Sequence, residues 1–408
     1  MARVFLLIIL LLSTLQANSL QKAINHAKAG SVIKLSSGIY KGTIVIDKPL
    51  SIIGTSDNVI IEGFNKDTVI TINSSNVKLQ NLTIRKSGKR LENLDAAIKV
   101  NKAKNIEIDK CTIVDTLYGI DFNIVSNSKI TDNYIESKDL EISLKGDAIR
   151  LFYSNHNKIE NNKIYYSRDI KLDYSNNNLF ANNHIQNSRF ALHMQKSEDN
   201  IIEENHYKLN SVGMIFAGAK NTEIKNNLIQ SGRGAAAIGV LIKGVADFKF
   251  HDNIVSFNSK AFYIDAKHNE QTIKRFIENN EISYNKEAFH FHGAIKQNKI
   301  VNNIIVGNID DVVKSTRGDK TSKNIVENNY WDQYAGFDTN RDNIGDRTYK
   351  VLQYADRLWH YNNKVKFFYA APVISILNFI LSVAPFIEPI VILEDTKPIV
   401  DIDMMFTK

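Results

Sequence analysis

The chain of 408 residues contains one cysteine and five prolines. Because Cys111 has no second thiol to pair with, the chain cannot form an internal disulfide framework or a metal cluster held by several thiolates. Pro49 is the one proline in the first 371 residues, and the others begin at Pro372. This uneven distribution predicts a long body of uniform structure followed by a tail of different character.

Strong charge of one sign is also lacking. The net charge of +7, from 51 basic and 44 acidic residues, is small for a chain of this length. Nucleic-acid binding usually requires a concentrated basic surface, so no nucleic-acid partner is predicted. Hydrophobic residues make up 43% and charged residues 23% of the chain, which excludes an intrinsically disordered protein.

The chain begins with features of an export signal. An apolar run, Val4–Leu12, follows Arg3 and is too short to span a bilayer. Small and polar residues follow from Ser13 to Ala17, an order typical of a secretory signal peptide. Residues 1–17 are therefore predicted to be a signal peptide. Outside the cytoplasm, the lone Cys111 is most simply a buried structural thiol.

A short phrase containing asparagine recurs through the middle of the chain at intervals of about 24 residues, which is within the range of solenoid repeats. Asparagine tolerates a left-handed backbone and bonds its own backbone, so each phrase predicts a sharp turn. The second asparagines of the eight clearest copies are Asn162, Asn183, Asn205, Asn227, Asn253, Asn280, Asn303 and Asn329.

Each repeat also contains a four-residue segment with apolar residues at its second and fourth positions, the pattern of a half-buried strand. These two positions are predicted to face a common interior and the third position to face outward. Short strands at this spacing stack into a parallel β-helix. The segments are Gly119–Phe122, Ala148–Leu151, Asp169–Leu172, Ala191–Met194, Gly213–Phe216, Gly239–Ile242, Ala261–Ile264 and Ala288–Phe291.

The predicted fold is therefore all-β, a single parallel β-helix over residues 18–363. A short helix within Leu20–Ala29 is predicted to cap the N-terminal coil. The bulky rings of Asn329–Asp332 are predicted to close the last coil. Residues 364–408 form the apolar tail.

The tail contains a predicted helix, Val373–Ala384, between Pro372 and Pro385. The helix is shorter than the roughly 20 residues that cross a bilayer. A helix that is apolar on most of its faces must be covered by something, and a membrane-embedded transporter is the predicted partner. The alternative left open is that the longer run around the two prolines spans the membrane. The predicted docking residues are Val373, Ile376, Leu377 and Ile380.

A second candidate docking face lies on the body. Ile215, Leu241 and Tyr263 occupy the outward position of three consecutive repeats. Contiguous exposed apolar side chains indicate an interaction surface. The alternative is that a loop covers them.

The candidate copper ligands are histidines. Met194 and Met214 occupy inward positions and are predicted to fill the core. His290 is at an outward position, and His292, two residues later, shares its face of the strand. With Asp265 on the neighbouring coil, they could form a transient copper site. The alternative is that they are ordinary surface histidines.

A candidate calcium site follows the last repeat. Asp338, Asn340, Asp342 and Asp346 are at positions 1, 3, 5 and 9 of a loop similar to that of an EF-hand. Asn343 replaces the glycine expected at position 6, and no glutamate is present at position 12. A metal-free loop of Asx turns is the competing prediction.

Four segments resemble a known family. "AGSVIKLSSGIYKGTIVIDKPLSIIGT" from Ala29 resembles right-handed β-helix repeats found in carbohydrate-binding proteins and sugar hydrolases. "RFALHM" from Arg189, "NNYWDQYAGFDTNRDNIGD" from Asn328 and "APVISILNFILSVAPF" from Ala371 narrow the resemblance to the periplasmic NosD proteins. The resemblance runs from about Leu20 into the tail and implies a right-handed helix.

NosD proteins work with an ABC transporter in the maturation of nitrous-oxide reductase, in the assembly of its copper–sulfide centre. The resemblance therefore implies a non-catalytic periplasmic protein held at the inner membrane by the permease and ATPase subunits of the transporter. A copper chaperone and nitrous-oxide reductase are further implied partners. Transiently bound copper is the metal that the resemblance implies. Calcium is the metal that the loop of residues 338–346 would bind.

The alternative function is a carbohydrate-binding protein or a polysaccharide lyase, epimerase or hydrolase, since many β-helices are such enzymes. These enzymes need clustered carboxylates near a base or cation. The nearest such cluster is Asp121, Arg150, Lys171 and Asp173 on adjacent repeats. A solvated charged face would explain these residues equally well.

Overall fold

The computed structural model describes residues 8–10, 19–234, 236–266, 274–315, 321–353, 363–368, 371–383 and 389–403. The chain divides into two compact units, Met1–Gly234 and Ala235–Lys408. Each unit is a parallel β-helix in which successive strands of the chain belong to three different sheets. The predicted all-β fold is thereby confirmed for both units.

In the first unit, each coil contributes one strand to each sheet. Sheet 1 contains Ile8–Leu10, Ser31–Leu35, Leu50–Gly54, Val77–Gln80, Ile106–Asp109, Lys129–Thr131, Lys158–Glu160, Leu179–Ala181, Ile201–Glu203 and Lys220–Lys225. Sheet 2 contains Gly38–Lys41, Val59–Glu62, Thr83–Arg85, Thr112–Thr116, Tyr134–Ser137, Lys163–Tyr165, His184–Gln186, His206–Lys208 and Leu228–Gln230. Sheet 3 contains Ile44–Ile46, Ile70–Ile72, Ala96–Lys104, Tyr118–Ser126, Ile149–Phe152, Asp169–Asp173, Phe190–Gln195 and Val212–Ala217.

Two short helices accompany these strands. Helix α1, Ser19–His26, buries Leu20 and Ile24. The side-chain amide of Gln21 forms hydrogen bonds with both the backbone N–H and the carbonyl of Val45, which attaches α1 to the first strand of sheet 3. A 3₁₀ turn, Ile142–Leu144, lies in the loop before Ile149–Phe152.

The second unit has the same three-sheet plan. Its sheet 1 strands are Ala246–His251, Arg275–Glu278, Asn298–Val301 and Ile325–Glu327. Its sheet 2 strands are Ile254–Ser256, Glu281–Ser283, Ile304–Val306 and Tyr330–Trp331. Its sheet 3 strands are Ile238–Lys243, Lys260–Asp265, Glu287–His292 and Asp310–Lys314.

Among the described residues, four further strands and two helices follow or flank these coils. Ile295–Lys296 pairs in parallel with Thr321–Ser322, and Tyr349–Gln353 pairs antiparallel with Ile390–Asp395. Between the antiparallel strands lie a 3₁₀ helix, Asn363–Phe368, and helix α2, Pro372–Val383. In the described part of the chain, no helix has both the length and the apolar character needed to cross a membrane.

The inward positions of the strands are confirmed. The second and fourth residues of all eight predicted segments are buried, and Met194 and Met214 are fully enclosed with them. Phe248, Phe250, Phe262, Phe289 and Phe291 fill the interior of the second unit. Cys111 is also buried, as predicted, and burial raises the pKa of its thiol to about 12.

Asparagine side chains form a continuous ladder inside the first unit. Asn183 illustrates the repeated geometry: its Oδ1 accepts hydrogen bonds from the backbone N–H and the Nδ2 of Asn162. Its Nδ2 donates to Oδ1 of Asn205 and to the carbonyl of Ile159. Each asparagine thus satisfies buried backbone groups of neighbouring coils. The ladder runs through Asn133, Asn162, Asn183, Asn205 and Asn227.

The left-handed backbone conformation belongs to the residue before each ladder asparagine. Asn161 and Asn182 have φ of 58° and 56°. Glu204 has φ of 57° at the same position of the next coil. The predicted turns are present, but the second asparagine of each phrase is a buried hydrogen-bonding group, and the residue before it makes the turn.

The ladder of the second unit ends on a carboxylate. It passes through Asn253, Asn280 and Asn303 to Asn329, whose Nδ2 donates to Oδ2 of Asp395 at 2.8 Å. The indole Nε1 of Trp331 donates to the same oxygen at 2.9 Å. Burial raises the pKa of Asp395, although these hydrogen bonds oppose the shift.

Residues 390–400 of the tail are therefore part of the folded body. Ile392 and Leu393 are buried, and the N–H of Thr396 donates to the carbonyl of Val326. Trp331 is enclosed as predicted, but the strand Ile390–Asp395 and the contacts of residues 396–399 complete the closure. The strand Ile390–Asp395 lies within the predicted apolar tail, but it packs as part of the folded body because Asp395 supplies the acceptor that the last ladder asparagine lacks.

Replacing Asn183 by alanine should destabilise the first unit. Each buried polar group left without a partner costs about 1–3 kcal/mol, so we expect the free energy of unfolding to fall by about 2–5 kcal/mol. Urea unfolding followed by circular dichroism measures this change. Asn123→Ala, a half-buried asparagine of the strand Tyr118–Ser126, should change stability by less than about 0.5 kcal/mol. Equal losses in both variants would contradict a role for the ladder.

Replacing Asp395 by alanine should lower the melting temperature of the second unit. The substitution leaves two donors of Asn329 and the indole of Trp331 without their acceptor. Deletion of residues 371–408 should destabilise the protein for the same reason, whereas Ile376→Asp on α2 should not. Thermal unfolding compares the three variants. An unchanged melting temperature in Asp395→Ala would show that the ladder needs no cap.

Candidate functional site

The predicted histidine site lies on sheet 3 of the second unit. Nδ1 of His290 lies 2.5 Å from Oε2 of Glu287, and the ring of His290 stacks on Tyr263 with centroids 5.0 Å apart. Nζ of Lys260 lies 3.2 Å from Oε1 of the same glutamate. Burial raises the pKa of Glu287, but His290 and Lys260 outweigh it and hold the pKa below its ordinary value.

His290 points away from the core, but only 6% of the residue is exposed. The prediction that it is a surface group is therefore wrong, because aromatic stacking and the pair with Glu287 cover it. His292 is exposed, and its Nδ1 lies 3.1 Å from Oγ of Ser315.

Asp265, the third predicted ligand, forms an ion pair with Lys243 at 3.2 Å. Within the described ranges, no group of three or more His, Cys, Asp or Glu side chains is arranged to hold a metal ion. Copper binding to His290 and His292 would have to use their Nε2 atoms, because each Nδ1 already has a partner. This site stays a prediction.

The predicted apolar face contains both buried and half-buried residues. In the first unit, Ile215 is only 8% exposed, so the expectation that it is a surface residue is wrong. In the second unit, Leu241 and Tyr263 are half-buried neighbours in paired strands. The ring of Tyr263 also stacks on the ring of His290. Docking at this face stays a prediction.

The charged cluster of the first unit is more enclosed than a solvated face. Asp121 is fully buried, and its Oδ1 accepts a hydrogen bond from Arg150 at 2.8 Å. Lys171 and Asp173 form an ion pair at 2.9 Å. Lys171 pairs in register with His193, whose pKa is lowered by burial.

Two further carboxylates adjoin this cluster. Asp169 binds Arg189 and lies close enough to Asp147 to influence its ionisation. Burial, with the nearby negative charge of Asp169, raises the pKa of Asp147 to about 7. A carboxyl group that titrates near neutral pH is a feature of acid–base sites, but buried structural carboxyls share it.

Two tyrosines that the strand pattern does not predict form an aromatic pair at the ends of two strands of sheet 3. Tyr153 and Tyr174 stack with centroids 4.9 Å apart, and Lys196 lies over the ring of Tyr174. All three residues have left-handed backbone conformations directly after strands of sheet 3. These turn positions lie outside the period-2 pattern of the strands, so that pattern gives no signal for them.

A histidine pair that the strand pattern also does not predict lies on sheet 2 of the first unit. His184 and His206 are register partners in adjacent strands, with ring centroids 4.7 Å apart. Burial lowers the pKa of His206, and the neighbouring His184 lowers it further. The signal was present in the sequence, since each histidine directly follows the second asparagine of its repeat phrase.

In the loop similar to an EF-hand, carboxylates accept hydrogen bonds from the backbone of the same loop. Oδ2 of Asp338 accepts the N–H of Asn343, and Oδ1 of Asp342 accepts the N–H of Ile344. The hydrogen bonds from Thr339 lower the pKa of Asp346. These contacts are those of Asx turns. Calcium binding by Asp338, Asn340, Asp342 and Asp346 stays a prediction.

Helix α2 presents large apolar side chains to solvent. Val373 and Ile376 are each 59% exposed and Val383 is 70% exposed. Ile380 is also exposed, whereas Leu377 is partly buried. Helix α2, Pro372–Val383, overlaps the predicted range Val373–Ala384, and four of its apolar positions are exposed.

A family model described as "Periplasmic copper-binding protein (NosD)" matches residues 133–336. The "Probable ABC transporter binding protein NosD" of Pseudomonas aeruginosa is 25% identical over 399 residues, which cover 94% of this chain and 91% of that protein. The protein of the same name from Stutzerimonas stutzeri is 29% identical over 112 residues, 28% of this chain and 26% of that protein.

Solved structures share the fold. The A-module of the mannuronan C-5 epimerase AlgE6 from Azotobacter vinelandii has a TM-score of 0.61 at 16% identity, covering 76% of this chain and 93% of the module. A family 28 exopolygalacturonase from Yersinia enterocolitica has a TM-score of 0.53 at 13% identity, covering 72% and 74%. At these identities the likeness concerns the fold alone. Because the family model spans half of the chain, the chain belongs to the NosD family of periplasmic proteins.

Proposed function

We propose that the protein is a non-catalytic periplasmic subunit that works with an ABC transporter in the maturation of nitrous-oxide reductase, in the assembly of its copper–sulfide centre. Its cargo in this proposal is copper. Its partners are the permease and ATPase subunits, a copper chaperone and nitrous-oxide reductase. The name of the Pseudomonas aeruginosa relative supports an association with an ABC transporter.

The observation that carries this proposal is the exposed apolar surface of α2. Full burial of one large aliphatic side chain contributes about 1.5–3 kcal/mol, so covering several of them would supply a substantial docking energy. The strands that precede and follow α2 in the chain are paired with each other, so both ends of the tail segment are anchored. We propose that this segment docks on the permease and holds the protein at the inner membrane.

The N-terminal end has a simpler role in this proposal. Helix α1 lies against the strand Ile44–Ile46, and Nζ of Lys48 donates to the carbonyls of Asn25 and Ala27. We propose that α1 caps the first coil of the mature protein.

A sugar-processing enzyme is the second candidate, and the cluster around Asp147 favours it. Asp147 titrates near neutral pH and lies near several cations. However, only 8% of Asp147 is exposed, so it has little surface with which to reach a polymer. Arg150 and Arg189 are also committed to Asp121 and Asp169. These contacts support a structural role.

If Asp147 is structural, its titration should appear in the pH dependence of stability. Its pKa rises from an ordinary 3.8 to about 7 on folding. The protonated form is therefore favoured in the folded state, and this contribution is complete below about pH 4 and lost as the pH rises through 7. Asp147→Asn should remove this part of the decline in the free energy of unfolding.

Urea unfolding between pH 4 and 8 measures the difference between the variant and the parent. Each unit of pKa shift corresponds to about 1.4 kcal/mol, so the expected difference is a few kcal/mol. Asp139→Asn, an exposed position in the same loop, should follow the parent. Turnover of a uronate polymer that disappears in Asp147→Asn would instead support the enzyme.

Charge on α2 should abolish association with the transporter. Val373→Asp combined with Ile376→Asp places two carboxylates on the exposed surface without removing any hydrogen bond of the ladder. We expect the variant to keep the parent melting temperature but to be lost from the transporter complex during purification from membranes. Phe337→Asp, at another exposed apolar position of the second unit, is the matched control. Retention of the double variant would place docking elsewhere, with Leu241 and Tyr263 the next surface to test.

A further inference from the structure

Two histidines of the first unit lie directly above one another on the outer face of sheet 2. The strands His184–Gln186 and His206–Lys208 are parallel neighbours, and His184 is the register partner of His206. Adjacent strands are about 4.8 Å apart, and the ring centroids are separated by 4.7 Å with the planes at 80°. Because both rings are only half-buried, solvent and small ions can reach them.

Both Nε2 atoms are directed toward the same neighbouring column of side chains. Nε2 of His184 lies 3.3 Å from Oε1 of Gln186, and Nε2 of His206 lies 2.9 Å from Nε2 of Gln230. Gln186 and Gln230 occupy the same register position two coils apart, with Lys208 between them. Rotation of the Gln230 amide would present its oxygen where its nitrogen now lies.

This arrangement offers two imidazole nitrogens and two amide oxygens without any sulfur. A mixed nitrogen and oxygen set suits Cu²⁺, which binds such ligands more tightly than the other divalent metals of the first transition row. Zinc sites instead usually use three or four strong protein ligands in a tetrahedron. Two neutral imidazoles with weak amide donors leave coordination positions open for a second protein.

We propose that His184 and His206 bind one Cu²⁺ through their Nε2 atoms, with the amide oxygens of Gln186 and Gln230 as weak additional ligands. The interpretation of this ion as cargo rests on the proposed function, but the site itself does not. The ammonium of Lys208 opposes a cation at this position and keeps the affinity moderate. An open site of moderate affinity can exchange its ion with a partner that completes the coordination shell.

The test uses the mature protein and Cu²⁺ alone, followed by electron paramagnetic resonance. When one equivalent of Cu²⁺ is added, the parent should show superhyperfine splitting from two nitrogens, and Zn²⁺ should compete poorly. His184→Ala and His206→Ala should each reduce the splitting to that of one nitrogen and weaken binding at least tenfold. His156→Ala, at an exposed histidine of the first unit, is the control and should leave the spectrum unchanged. His292→Ala tests the other predicted copper site, and a spectrum lost in that variant would place the ion there.

A second variant distinguishes loss of the copper ligands from loss of the fold. Lys208→Ala should tighten Cu²⁺ binding several-fold, a gain that a misfolded protein would not show. Unchanged spectra in both histidine variants, or a spectrum lost in His292→Ala alone, would overturn the proposal.

The same samples separate this inference from the proposed function. A protein that associates with the transporter but has no copper signal from His184 and His206 would disprove only the copper site. A protein that binds copper at this pair but never associates with a transporter would disprove only the proposed function.

Discussion

The interaction on which each unit depends is the hydrogen bond between stacked asparagines. A coil of a β-helix contains turns whose backbone groups are buried, and those groups need partners that the three sheets cannot supply. Asn162 and Asn183 supply them in the first unit, and Asn280 and Asn303 do so in the second. Because every asparagine donates to one neighbour and accepts from the other, the ladder fixes which coils are adjacent and keeps the strands in register.

The same constraint explains how the second unit ends. An asparagine ladder leaves unsatisfied donors at its last member, and Asp395 accepts them with one carboxylate oxygen. The chain reaches this position only after the segment that carries α2, so a structural cap and an exposed apolar helix belong to one C-terminal region. The tail thus combines two features, since the strand Ile390–Asp395 completes the fold while α2 exposes an apolar surface.

The outward positions of the strands carry different residue types from coil to coil. Inward positions repeat the same aliphatic and aromatic types, whereas outward positions include the buried pair of Glu287 and His290 and the half-buried pair of His184 and His206. Parallel stacking places residues of equal repeat position about 4.8 Å apart, close enough for rings to contact and for two nitrogens to share an ion. The fold therefore creates clusters from residues that are more than twenty positions apart in the chain.

The amino-acid sequence by itself determined the alternation of inward and outward residues, the repeat of the asparagine phrase and the position of α2, because these depend on local periods that each segment carries alone. It did not determine that Asp121 and His290 would be covered, that Asp395 would complete a ladder, or that His184 would meet His206. Repeat lengths vary along the chain, so the position opposite a given side chain depends on strand register. Register is decided by hydrogen bonds between coils, and only the tertiary structure contains them.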